Sequence, residues 1–99
     1  MLLSHAVLFA EARSYLAALA DTASGFDASL EYERVLLHLD HLHGGQITPM
    51  TVVPTGDRIV LYDVARTAIT RLVDYGVDRY ELAICLSMLA TAWESEHRS

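Results

Sequence analysis

The sequence predicts an all-α fold, a compact bundle of about four helices in a single domain spanning residues 1–99. Apolar residues recur at three- and four-residue spacing in four separate segments, the period of a helix with one buried face. Glycine-bearing breaks fall between them, at "DTASGFD", "HGG" and Gly76. A chain of 99 residues suits one hydrophobic core rather than two.

The first helix is expected from about Leu2 to Ala20. Leu8, Ala12, Tyr15 and Leu19 repeat at helical spacing, with His5, Phe9 and Leu16 alongside. Ala6, Ala10, Ala12, Ala17, Ala18 and Ala20 favour helix and let a neighbour approach closely. The second helix is expected from Ala28 to His43, with Asp27 as its N-cap. Tyr32, Val35, Leu36, Leu39 and Leu42 form its core stripe, and Gly44 and Gly45 end it.

Two readings remain open for the stretch that follows. Pro49 and Pro54 forbid a continuous helix across it. Either an extended linker leads into a helix starting near Asp57, or "MTVV" and "RIVLY" pair as a short β-hairpin within residues 50–62. Ile59 and Val60 fall off the face defined by Leu61, Ala65, Ala68, Ile69 and Leu72, which favours the hairpin and a later cap at Asp63. From Val64 to Tyr75 the helical period is clean.

Gly76 closes that helix, and Asp78 with Glu81 three residues on marks the next start. Val77 and Leu82 occupy the positions of a hydrophobic staple across it. The fourth helix, Arg79 to about Glu96, is apolar on two faces. Leu82, Cys85, Leu86, Leu89 and Trp93 make one stripe, and Tyr80, Ile84 and Met88 make another almost opposite. Such a helix is either central in its own domain or covered by another subunit. On the second helix Leu30 and Leu37 likewise point away from the core stripe.

Composition points the same way. Hydrophobic residues make up 53% of the chain and mean hydropathy is +0.26, more apolar character than so small an interior readily hides. A homodimer or an obligate protein partner is therefore expected, with Tyr80, Ile84 and Met88 as the first contact surface and Leu30 and Leu37 as the second. The net charge of −6 repels phosphate backbones, so no nucleic-acid partner is expected. The corner around Gly76 has the outline of a helix-turn-helix. Its second helix, however, would offer Tyr80, Ala83, Ile84 and Ser87 to a groove, with Arg79 as the single base.

The N-terminal segment lacks the basic start of a signal peptide, and Glu11 and Arg13 interrupt its apolar run. No stretch approaches the roughly eighteen uncharged residues of a membrane span. No membrane association is expected, and the single cysteine, Cys85, fits a cytoplasmic location without disulfides.

Candidate chemistry concentrates in "LLHLDHLHGG". His38 and His41 are three residues apart and could share a metal ion, with Asp40 between them as a weaker third candidate. The simpler reading is a helix terminus, where histidines complement the dipole and the unpaired carbonyls. No metal and no cofactor is expected. No catalytic residue is expected either: Cys85 sits on an apolar stripe, and Ser4 beside His5 lacks the context of a nucleophile. Glu31/Glu33 and Glu94/Glu96 are two residues apart and diverge on a helix. The expectation is a non-enzymatic interaction or regulatory module. The alternatives are an acidic antagonist of a basic partner and a metal- or small-ligand-binding protein built on His38, Asp40 and His41.

Overall fold

The computed structural model describes residues 3–45 and 50–97, and among them 4 α-helices surround one apolar core. Helix α1 spans Leu3–Asp21, α2 Phe26–Leu42, α3 Arg58–Arg71 and α4 Arg79–His97. A 3-10 turn, Leu72–Tyr75, extends α3 toward the Gly76 corner. Leu2, the expected first residue of α1, and Pro49 lie outside the described residues.

Each helix packs against two others, in the cyclic order α1, α2, α4, α3. Side-chain pairings fix the directions. Arg13 of α1 meets Asp40 of α2, and Ser29 near the start of α2 meets the Ala20 carbonyl at the end of α1. Arg58 at the start of α3 likewise reaches Leu19 near the end of α1. Tyr62 of α3 meets Trp93 of α4, and His38 of α2 lies beside Glu81 of α4. All four neighbouring pairs are thus antiparallel, and the diagonal pairs, α1 with α4 and α2 with α3, run parallel.

That topology makes demands on the connection between α2 and α3. Because these helices point the same way, the chain must return along the bundle, and it does so beside α1. The Thr51 N–H donates to Ser14 Oγ at 2.8 Å, and Val53 packs on the core. Ser14 Oγ in turn donates to the Ala10 carbonyl at 2.7 Å. Leu8, Phe9, Ala10, Ala12, Leu16, Leu19 and Ala20 of α1 are all buried, together with Arg13 and Ser14. The alanines leave room for this close packing on three sides.

The expected hairpin is not formed: residues 58–62 are the first turns of α3, and 50–57 have no regular secondary structure. The deciding group is Asp57, whose carboxylate accepts from the N–H groups of Ile59 at 3.0 Å and Val60 at 3.4 Å. An aspartate cap satisfies donors a helix start otherwise leaves orphaned. Ile59 and Val60 then sit on the exposed side of that turn, as their phase in the pattern requires. The start of α2 also differs from expectation. Gly25, not Asp27, is the N-cap, and Asp27 lies in the first turn, where its charge suits the helix dipole. At α4 the expected cap is present, with Asp78 Oδ1 accepting from the Tyr80 N–H at 2.9 Å.

Two of the three breaks between helices use left-handed glycine. Gly44 and Gly45 have φ of 67° and 76°, and Gly76 has φ of 87°. An L side chain rarely adopts this conformation. No helix among the described residues is long and apolar enough to cross a membrane.

Candidate functional site

The histidine-rich end of α2 is taken apart by its three neighbours. Asp40 turns toward α1, where Arg13 Nε donates to Oδ1 at 2.6 Å and Nη2 to Oδ2 at 3.2 Å. This two-pronged pair is largely out of water, with side-chain exposures of 8% and 19%. His38 turns the opposite way, toward α4. Its Nε2 lies 3.4 Å from Glu81 Oε2 but out of hydrogen-bonding alignment, so that buried nitrogen makes no hydrogen bond. His41 is exposed. The three candidate ligands therefore serve three separate surroundings. Among the described residues no group of three His, Cys, Asp or Glu side chains comes together to hold a metal ion.

His43 is buried and packs differently again. Its Nδ1–H donates to the Leu39 carbonyl at 3.0 Å, and its ring stacks on Phe9 at a centroid distance of 3.7 Å. That bond fixes the tautomer, leaving Nε2 as an acceptor for His5 Nε2–H at 3.2 Å. Burial, followed by the neighbouring His43, holds the His5 imidazole below its ordinary value and keeps it neutral. The pair, with Tyr75 stacked on His5 at 5.0 Å, joins the start of α1, the end of α2 and the turn after α3. Both ring nitrogens of His43 and the Nε2 of His5 are engaged in that join.

A second polar cluster sits at the other end of the bundle. Glu96 of α4 accepts from Tyr32 of α2 at 2.5 Å and from Arg58 of α3. Arg58 also donates to the Leu19 carbonyl at 3.1 Å and to Thr22 Oγ1 at 2.5 Å. One arginine and one glutamate thus tie all four helices together. Burial raises the Glu96 carboxyl, but hydrogen bonds from Tyr32 and Arg58 and the guanidinium charge outweigh it and leave the group below its ordinary value. The Tyr32 hydroxyl is raised, by burial first and then by its bond to Glu96. Cys85 is fully buried, and burial pushes its thiol up to about 12, so it is not an activated nucleophile.

The remaining feature is the outer face of the α2/α4 pair. The two stripes singled out from the sequence lie on these adjacent antiparallel helices. Tyr80 is 79% exposed, Leu37 69%, Ile84 49% and Leu30 38%. Met88 is half-buried, with part of its side chain packed on the core. In the seam between the helices is an open groove lined by Glu31, Arg34, Ser87, Met88 and Thr91. Glu31 Oε2 is buried there without a hydrogen-bond partner among the described residues, as is His38 Nε2 further along α2. A buried acceptor with no donor is costly unless something supplies one.

Sequence reasoning took Glu31 only as a carboxylate that diverges from Glu33, and it passed over Arg34. The available signal was position: Arg34 lies four residues after Leu30 and three before Leu37, on the same outward side of α2. Arg13, a charge inside an alanine-rich apolar helix, carried a similar signal for its pairing with Asp40. No protein-family model matches this chain, and no curated protein or solved structure matches it.

Proposed function

We propose that this protein is a non-enzymatic interaction module that self-associates as a homodimer through the outer face of α2 and α4, and that it acts in the cytoplasm. One observation carries the reading: Leu30, Leu37, Tyr80 and Ile84, four of the 12 large apolar side chains exposed among the described residues, lie on two neighbouring antiparallel helices. A lone, buried thiol is in keeping with a reducing compartment.

Size is compatible with a second copy as the occupant. A standard interface covers about 800 Å² per partner, roughly a seventh of the 5817 Å² that this molecule exposes. Two adjacent helices of 17 and 19 residues, each about 25 Å or more in length, supply a face of that order.

Light scattering coupled to size-exclusion chromatography tests the reading. The expected result is a dimer at micromolar concentration, converted to a folded monomer by Ile84→Glu. A wild-type chain that stays monomeric at about 100 μM, where even weak specific dimers form, would overturn it.

A further inference from the structure

We infer that His5 and His43 form a two-histidine site for a divalent transition metal (zinc, copper or nickel), bound through the two Nε2 atoms where α1 starts and α2 stops. The inference is independent of the docking face on α2 and α4. Its starting point is a distance. The two nitrogens lie 3.2 Å apart and the ring centroids 5.3 Å apart, so the imidazoles meet edge to edge, nitrogen first. A tetrahedral zinc ion, with Zn–N bonds of about 2.0–2.1 Å, holds two imidazole nitrogens about 3.3 Å apart. An ion set to one side of the line between these nitrogens therefore reaches both after small rotations of the rings.

The surroundings suit metal-binding imidazoles. His43 Nδ1–H donates to the Leu39 carbonyl, the outer bond that orients a ligand ring and leaves Nε2 its lone pair. Stacking fixes both rings: His43 lies on Phe9, and His5 lies on Tyr75 with 9° between the planes. His5 and His43 line an open cleft of about 420 Å³, room for an ion with its waters. Asp78 lies on the wall of the same cleft, where its charge favours a cation. Among the described residues no third His, Cys, Asp or Glu completes the shell, so water from the cleft fills the remaining positions. Imidazole ligands select zinc, copper or nickel over magnesium and calcium. On binding, the proton on His5 Nε2 passes through solvent to Nδ1 of the same ring. Two metal–nitrogen bonds then replace one hydrogen bond between neutral rings, and no net proton is released.

Titration of the tag-free chain with zinc tests the site, read by calorimetry at neutral pH. One zinc ion per chain should bind, with the site largely filled by about 100 μM free zinc. The melting midpoint should rise with zinc, because the ion favours the folded chain that brings the two rings together. His5→Ala and His43→Ala should each weaken binding at least about tenfold and remove most of that rise. Circular dichroism establishes that each variant is folded. His5 is half-buried in the first turn of α1, so His5→Ala keeps the test valid if the buried His43→Ala is not. Replacing His38, His41 and His97 together by alanine should change neither readout. With copper in place of zinc, electron paramagnetic resonance should show two imidazole nitrogens in the wild type and one in His5→Ala. No zinc uptake at about 1 mM overturns the site, as does binding that survives His5→Ala or is lost in the triple variant. So does zinc that binds without raising the midpoint, since the unfolded chain would then bind it equally well.

Discussion

At Arg13 a guanidinium is carried into the bundle by the most buried helix and answered there by the carboxylate of Asp40. Neither group has much access to water, so each is tolerable only because of the other. The Arg13 charge also lies over the Phe9 ring, 6.0 Å from its centroid, which adds to its fixed position. Arg13→Ala should therefore destabilise the fold by about 3 kcal/mol, the cost of stranding a buried charge. Urea unfolding checks this; a loss within about 0.5 kcal/mol, as for an exposed pair, would show that water reaches Asp40 easily. The same pair explains why Asp40 does not stand with His38 and His41: its oxygens are occupied on the α1 side of the helix.

Among the elements, α3 shows most directly how one local group selects between two folds of the same residues. The segment Arg58–Tyr62 is rich in β-branched and aromatic residues and reads well as a strand. Asp57 outweighs that propensity by capping the first turn, and Leu61, Ala65, Ala68, Ile69 and Leu72 then bury along one side. Asp57→Ala should cost about 1 kcal/mol, seen as a lower urea midpoint with an unchanged slope. Fraying confined to the first turn should accompany it, detectable as faster amide exchange at Ile59 and Val60. Unchanged protection there would mean that tertiary packing, not the cap, starts the helix. The helix-end glycines were legible in the sequence because the left-handed conformation narrows the choice of residue so strongly. The true cap of α2 was not, because Gly25 caps through its backbone and leaves no side-chain signature.

For the molecule as a whole, the cluster around Glu96 links stability to pH. The folded carboxylate binds its proton less tightly than the unfolded one, since Tyr32 and Arg58 both donate to its charged form. Its contribution is complete above the ordinary carboxyl value of 4.5 and is lost as pH falls through the lower folded value. Thermal melts across pH 7 to 3 should show a falling midpoint in that acid window. Glu96→Gln should lower the midpoint at neutral pH and flatten the fall; an equally steep fall in the variant would move the effect to other carboxylates. Because Arg58 also holds the end of α1, the loss should be cooperative across the bundle rather than confined to α4. At the same scale, the second stripe on α4 is not enclosed within the chain, since Tyr80 and Ile84 are exposed. Helix α1 buries nine of its residues, whereas α2 and α4 bury four each.

The sequence alone determined that the chain is helical, where most of its helices stop, and which residues line the core. These follow from periodicity and from the conformational limits of glycine, proline and capping side chains, all of which act within a few residues. It also marked the two unburied stripes, because an apolar residue off the core phase is visible without knowing what surrounds it. Only the tertiary structure decided that these stripes are neighbours, that Asp40 belongs to Arg13 and that His43 belongs to His5. It also decided that Glu31 and Arg34 line one groove with residues of α4. Those outcomes depend on which helices are adjacent and in which direction each runs. Adjacency is set by the balance of packing over the whole core, a sum over residues distant in the chain that no local pattern records.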